Sequence, residues 1–381
     1  MGNGNKSKHP SHEGKPVLIT GGAGFVGTNV ASRLLSSGQR VLIYDSLARP
    51  GVDRNLRWLT ETYGDLVQVE IGDVRDAPLL RHTVQQASRV FHFAAQVAVT
   101  TSLLDPVDDF LINACGTLNL LEALRGLSSP PPLVFTSTNK VYGGLGDVPL
   151  HKSNVRYEPV DRAIKERGIG EDHPLDFHSP YGCSKGAADQ YVLDYARTYG
   201  VHAVVFRMSC IYGPHQFGTE DQGWVAHFLI RALKGEPITL YGDGKQVRDI
   251  LFVEDLVNAF MLAHDNMGTL PGQAFNIGGG PSNTVSLLEI LELIGEIHGK
   301  KPDGSFEGWR PGDQRYYVSD TTKFSSATGW RPQIDPQQGV EHLYNWLGVS
   351  RKELRAKSSN VLEPRASVLS ATAYSTAEVL D

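Results

Sequence analysis

Lys15–Gly27, KPVLITGGAGFVG, decides the fold. Val17, Leu18, Ile19 and Thr20 form a short apolar, β-branched run, the pattern of a strand covered on both faces of a parallel sheet. The run passes into Gly21, Gly24 and Gly27, and then into a helical pattern through Leu34 and Leu35. Glycines at such a junction let the backbone approach a ligand, and the N-terminus of the following helix favours an anion such as a pyrophosphate. A second strand is expected over Arg40–Tyr44, ending at Asp45. That is about 20 residues beyond the glycines, where a dinucleotide-binding unit places a carboxylate against ribose hydroxyls.

The alternation continues along the chain. A third strand, Leu66–Ile71, ends in Gly72-Asp73-Val74, where Asp73 and Val74 are placed to frame an adenine. Arg81–Gln86 reads as helix, and Arg89–Phe93 as a fourth strand running into Ala94, Ala95 and Gln96. The two alanines there admit a cofactor close to the backbone. One helix is expected over Pro106–Leu124, with Asn113 and Gly116 inside it, and a further strand over Leu133–Ser137. Strands alternating with helices predict an α/β Rossmann fold, a doubly wound parallel sheet with its site at the strands' carboxyl ends.

From Gly143 to Asp176 the pattern dissolves into polar, Pro- and Gly-punctuated sequence, and a loop of that length is expected to be functional or a lid. A strong helix follows over Ser179–Tyr199, then a strand over Val201–Arg207. Beyond Tyr212-Gly213-Pro214 come shorter helices over Gly223–Lys234, Val253–Ala263 and Ser286–His298, the pattern of a smaller C-terminal α/β substrate lobe. The expected organisation is therefore a disordered lead-in (1–14), a dinucleotide domain (15–207), a mainly substrate-binding lobe with segments returning to the first domain (208–349), and a mobile tail (350–381).

Among the 381 residues, 42 acidic side chains against 36 basic ones leave a net charge of −6, which argues against a general nucleic-acid or membrane-surface binder. Cys115, Cys183 and Cys210 are scattered without metal spacing and fit a reducing cytoplasm. No run is long and apolar enough to span a bilayer, and the opening residues lack the apolar core of a secretory signal. The expected location is cytoplasmic, with no metal, nucleic acid or membrane partner.

Tyr181 and Lys185 stand four apart on one helix face. A phenol is a poor base at its ordinary pKa of about 10, and a nearby ammonium favours the phenolate. Thr138, at the end of the preceding core strand, offers a hydroxyl to a reacting oxygen. A Tyr-x-x-x-Lys pair is common on helix surfaces, but the order strand, hydroxyl, loop, helix favours a catalytic set.

TGGAGFVG, Asp45, Asp73, Thr138 and Tyr181-x-x-x-Lys185 together resemble the extended short-chain dehydrogenase/reductase family, the nucleotide-sugar epimerases and dehydratases, over about Lys15 to Leu347. The resemblance implies NAD held by Gly21, Gly24, Phe25, Val26, Gly27, Asp45, Asp73, Val74, Ala94, Ala95, Gln96, Asn113, Tyr181 and Lys185. It implies Tyr181 as base, Lys185 as its tuner, and Asn113 as a support for the active-site helix or a relay water; a buried amide bonded to backbone is the other reading of Asn113. In the family's dehydratases an Asp-Glu pair follows the catalytic Thr. Here Asn139 and Lys140 stand there, and they cannot act as that acid/base carboxyl pair.

An oxidation–reduction without elimination remains, through a transient keto sugar. Ser137–Tyr142, Phe177–Arg197 and Asp221–Val225 are similar to the branch that inverts C2 of a CDP-linked hexose. The nucleotide sugar would meet Thr138, Asn139, Gln222, Trp224, Tyr241, Arg248 and Arg315, the two arginines gripping its pyrophosphate or ribose. His178 and Cys183 flank Tyr181 without contacting substrate. Epimerisation at C4 of a UDP-hexose is the alternative; a non-catalytic NAD-sensing module would have little need of Thr138, Tyr181 and Lys185 together. Apolar faces on the helices over Pro106–Leu124 and Ser179–Tyr199 suit either a homo-oligomer or internal packing.

Overall fold

The computed structural model describes residues 14–360. The lead-in expected over 1–14 lies outside the described residues except for Gly14, as does the tail beyond Asn360. Seven parallel strands form the main sheet. Its first five in the chain are β1 (Val17–Thr20), β2 (Val41–Asp45), β3 (Val67–Ile71), β4 (Arg89–His92) and β5 (Leu133–Thr138). In space they run β3-β2-β1-β4-β5, continued by Ala203–Met208 and, at the edge, Gln273–Ile277. The order reverses between β1 and β4, which opens the crevice in which such folds bind dinucleotides.

Side chains alternate between two apolar layers. Val17 and Ile19 pack with Val30 and Leu34 of helix Phe25–Ser36 and with Leu256 and Phe260 of helix Val253–Asp265. Leu18 points the other way, among Leu120, Leu121, Leu124 and Val192. Burial on both faces is why β1 and β2 read as continuous apolar runs, whereas the edge strand β3, VQVEI, alternates.

The helix expected over Pro106–Leu124 is not continuous. Pro106–Phe110 and Gly116–Arg125 are α-helical, and Leu111–Cys115 between them is a turn of π-helix. One surplus residue keeps both ends in place. Gly116 must sit where a Cβ would come within 2.6 Å of Val74 Cγ2, while Asp109 and Asn113 must both reach Ser184 on the next helix.

The segment 143–176 is a packed unit rather than a lid. It contains the hairpin Leu150–Lys152/Tyr157–Pro159 and the helix Arg162–Arg167. Leu145, Val148 and Ile169 are buried with Val141, Tyr142 and Tyr317, and Arg156 pairs with Glu289 at 2.5 Å. The apolar residues doing this are spaced too irregularly to show in the sequence.

Beyond residue 208 the chain builds smaller sheets. Val247–Phe252 pairs with Cys210–Tyr212, Thr284–Ser286 and Tyr316–Tyr317, and Ile238–Tyr241 pairs with Gly304–Glu307. Val225, Phe228, Leu229, Ile290, Ile294, Val340 and Leu343 fill the core between them. Gln273–Ile277 leaves this lobe to pair with Ala203–Met208. The last helix, Pro336–Asn360, runs through the boundary expected at 350, since no Gly or Pro interrupts 349–360. No helix among the described residues is long and apolar enough to cross a membrane.

Candidate active site

Three turns at the carboxyl edge of the sheet form a cradle. Gly21 has φ +68°, and a Cβ there would lie 2.6 Å from Ala94 N; a Cβ on Gly27 would lie 2.3 Å from Gly21 O. Only glycine allows β1, β4 and the helix to meet this closely. Gly24 caps helix Phe25–Ser36 without a side-chain hydrogen bond, and no acidic residue lies in the first turn, so those N–H groups suit an anion. Asp45 ends β2 with its carboxylate held by Ala23 N at 3.0 Å and Leu47 N at 2.9 Å. Burial pushes this carboxyl above the usual range, and the two backbone donors oppose it.

The other expected cofactor residues divide. Val74 is buried beneath Gly116. Asp73 accepts from the Arg75 guanidinium at 2.6 Å, which holds its carboxyl below the usual range. Ala94 N donates to Thr20 Oγ1 at 3.4 Å. Asn113 spends its amide inside the protein: Gln96 N donates to its Oδ1 at 2.9 Å, and its Nδ2 donates to Gln96 O, Asp109 Oδ1 and Ser184 Oγ, each at 3.1 Å. It ties the loop after β4 to helix Ser179–Tyr199.

Thr138 ends β5, and its hydroxyl donates to Asn139 Oδ1 at 3.4 Å, accepts from Lys140 N at 3.2 Å and lies beside the Tyr181 phenol. Tyr181 and Lys185 stand on helix Ser179–Tyr199, both buried. Tyr181 N donates to Ser102 Oγ at 3.1 Å, which anchors the helix start. The expectation that Lys185 draws the phenol toward neutrality does not hold in this geometry. Lys185 Nζ donates to Thr136 O at 2.6 Å and lies 4.5 Å from the centre of the Phe135 ring. Burial pushes Tyr181 up to about 12, the Asp109 charge adds to the rise, and Thr138 alone opposes it. Burial also lowers Lys185 to about 8.

A cavity of about 360 Å³ opens above this set, between the sheet edge and the second lobe. Thr138, Asn139, Lys140 and Tyr181 line it from the sheet side, beside Phe25 and Val26. Gln222, Trp224, Tyr241 and Arg248 line it from the second lobe. Lys140 Nζ donates to Gly312 O at 3.1 Å and to Gln314 Oε1 at 3.4 Å; burial and the neighbouring Arg248 lower it to about 8. Arg248 donates to Gln314 O at 2.5 Å, with Asp313 3.8 Å away.

Arg315 is a correction. It is exposed, does not line the cavity, and lies beside the Tyr157 and Trp309 rings at 5.8 and 5.6 Å. Gly312, at φ +76°, turns the chain so that Arg310 faces inward instead. Arg310 sits 3.6 Å over the Tyr241 ring and pairs with Glu220 at 3.3 Å and Asp221 at 3.5 Å. Its signal was present in the sequence, an arginine immediately before Pro311-Gly312, but a motif containing two arginines does not say which one the turn selects. Gln314, buried between Asn139, Lys140 and Arg248, carried no signal. His178 is exposed beside Asp176, and Cys183 is exposed too, both outside the cavity. Cys210 is the cysteine that lines it, accepting from Trp224 Nε1 at 3.4 Å. Among the described residues no three His, Cys, Asp or Glu side chains are grouped to hold a metal.

Thr100 Oγ1, Ser137 Oγ, Gln216 Oε1 and Gln246 Oε1 are buried without a hydrogen-bond partner, and all four residues line this cavity. An unpaired buried polar atom costs about 1–3 kcal/mol, so four around one space fit ligands that supply the missing partners.

A dinucleotide cradle and a phenol–ammonium pair meeting at one sheet edge place the molecule among Rossmann enzymes that work through a nicotinamide cofactor. Comparison narrows the class. The model of the NAD dependent epimerase/dehydratase family matches residues 17–278, and the chain belongs to that family, with NAD as its cofactor. It is 44% identical over 337 residues to the CDP-paratose 2-epimerase of Salmonella typhi, covering 87% of this chain and 98% of that protein. It is 31% identical over 350 residues to a dTDP-glucose 4,6-dehydratase of Xanthomonas campestris pv. campestris, covering 86% and 92%. Among solved structures, the UDP-glucose 4-epimerase of Thermus thermophilus in complex with NAD superposes with a TM-score of 0.72 at 32% identity, covering 87% of this chain and 99% of that one.

Proposed function

We propose that this protein is a nucleotide-sugar isomerase that inverts C2 of a CDP-linked hexose, CDP-paratose being the reference substrate. The observation that carries this reading is the match to the Salmonella typhi 2-epimerase across nearly the whole of both chains. The pocket agrees with it: Asn139 and Lys140, the two positions after Thr138, line the cavity without a carboxyl to remove water, and the cavity's Glu220 and Asp221 are paired with Arg310. In this reading residues 15–207 bind mainly the dinucleotide and 208–349 mainly the sugar nucleotide.

NAD, when bound, supplies reversible acceptance of a hydride at the sugar carbon. The protein's own residues do the rest. Gly21, Gly24 and the first turn at Phe25–Gly27 take the pyrophosphate, and Asp45 the adenosine ribose. Thr138 hydrogen-bonds the reacting sugar oxygen, and Tyr181 removes its proton and later returns it. Lys185 holds the nicotinamide ribose. Arg248 and Arg310 hold the substrate diphosphate, and Arg310 exchanges Glu220 and Asp221 for it. Inversion requires the sugar to present its other face while the nucleotide stays anchored, which a wide cavity with cations at one end permits.

The test is turnover of CDP-paratose deuterated at C2, followed by NMR. Inversion at C2 with the label retained on that carbon is expected, in light and in heavy water alike. Label lost to solvent would overturn the mechanism. Inversion of UDP-glucose at C4, with the CDP-sugar untouched, would move the protein to the 4-epimerases.

A further inference from the structure

Behind the catalytic helix lies a carboxyl that the mechanism leaves unused. Asp109, on the short helix Pro106–Phe110, is 0% exposed. It accepts from Ser184 Oγ at 2.5 Å and from Asn113 Nδ2 at 3.1 Å. Both donors are neutral, and among the described residues no cation lies within ion-pair distance of it. A buried carboxylate in that position is expensive, and burial pushes its carboxyl up. Lys185, the residue after Ser184, is its mirror image: a 4% exposed ammonium whose hydrogen bond goes to the neutral Thr136 carbonyl. Two opposite charges, each without an ion pair, flank one hydrogen-bonded serine.

The remaining groups around them are committed elsewhere. Asp189, one turn beyond Lys185, is held by Arg207 in two contacts of 3.0 Å. His92 on β4 is kept neutral, lowered to about 3 by burial and by Lys185 itself. Asp108 faces outward onto Arg75 at 2.5 Å. Tyr181 is a phenol, and Asp109 reinforces that state. Burial lowers Lys185, and the carboxyls of Asp189 and Asp109 oppose the lowering. Asp189, the stronger of the two, is shared with Arg207, whereas Asp109 has no ion pair of its own.

We propose that Asp109 is a positioning residue for the catalytic pair: through Ser184 and Asn113 it fixes the helix that carries Tyr181 and Lys185, and its charge keeps the Lys185 ammonium protonated inside the protein. The proposal rests on the reading of Tyr181 and Lys185 as that pair. It explains why the amide of Asn113 is turned toward Asp109 and Ser184.

Asp109→Asn keeps the shape and one acceptor oxygen for Ser184, and loses the charge together with the acceptor for Asn113 Nδ2. Removing a negative charge disfavours the ammonium, so Lys185 should lose its proton at lower pH, by on the order of one pH unit. The NMR titration of lysine labelled with ¹³C at Cε reads this directly, in the full chain with NAD bound. The alkaline limb of kcat should move down with it while KM for the sugar nucleotide holds. A folded Asp109→Asn protein with an unmoved Lys185 titration overturns the proposal. Should that variant not fold, Lys185→Met tests the same coupling in reverse: the Asp109 carboxyl, followed at its ¹³Cγ, should then bind its proton at higher pH, and no change would overturn it. A shifted Lys185 titration with an unmoved rate profile would leave the coupling standing and count against the catalytic reading of the pair.

Discussion

Removing one oxygen, in Tyr181→Phe, leaves the ring packed beneath the cavity and takes away the group proposed to exchange the proton. Turnover should fall about 10²–10⁴-fold, with thermal unfolding and NAD titration little changed; near-normal turnover would show the base to be misplaced. Asp45→Ala removes the carboxylate that Ala23 N and Leu47 N hold in place at the end of β2. Its preference for NAD over NADP should shrink, measured by titrating cofactor-free protein, because Arg49 nearby would then meet a 2′-phosphate unopposed. The two arginines of the RPGDQR turn give a paired test. Arg310→Ala should raise KM for the sugar nucleotide at least tenfold, and Arg315→Ala, on the outer side of the turn, should leave it within twofold; the reverse result would invert their assignment. Spacing singled out Tyr181, Lys185, Thr138 and the glycines because the chemistry proposed for them needs fixed backbone positions. The direction in which Lys185 points, and which arginine enters the cavity, depend on side-chain packing and on one glycine turn, and neither leaves a mark on spacing.

Among the elements, strands and long helices were legible because burial on both sheet faces imposes continuous apolar runs, and helix Ser179–Tyr199 has the bounds its pattern indicated. The π-turn at Leu111–Cys115 was not, since a one-residue offset barely disturbs an apolar period, and the packed 143–176 unit was hidden by its scattered core residues. The π-turn makes its own prediction. Deleting the half-exposed Leu111 takes out the surplus residue, so a regular α-helix should form with Pro106–Phe110 and Gly116–Arg125 still in register. Asp109 should keep its reach to Ser184, and turnover should stay near that of the parent while circular dichroism stays native. A large loss of turnover in a folded deletion variant would show that the bulge itself, and not only the placement of its ends, is needed.

At the scale of the molecule, the proposed division of labour near residue 207 separates ligands, not folding units. Gln273–Ile277 completes the main sheet from far along the chain, and Phe206 is enclosed by Phe260, Phe275 and Phe324 at ring distances of 5.2, 6.2 and 5.1 Å. A chain ended at residue 207 keeps every proposed cofactor residue yet bares the edge of Ala203–Met208, so it should aggregate when expressed alone, whereas a monomeric, NAD-binding fragment would refute this. The returning strand also sets a timetable. A ribosome adds roughly 5–20 residues per second, so for some seconds each nascent chain carries an open sheet edge and an unroofed aromatic cluster. Its most vulnerable moment is therefore birth, and its yield in a cell should respond more to chaperone supply and translation speed than to the stability of the finished protein.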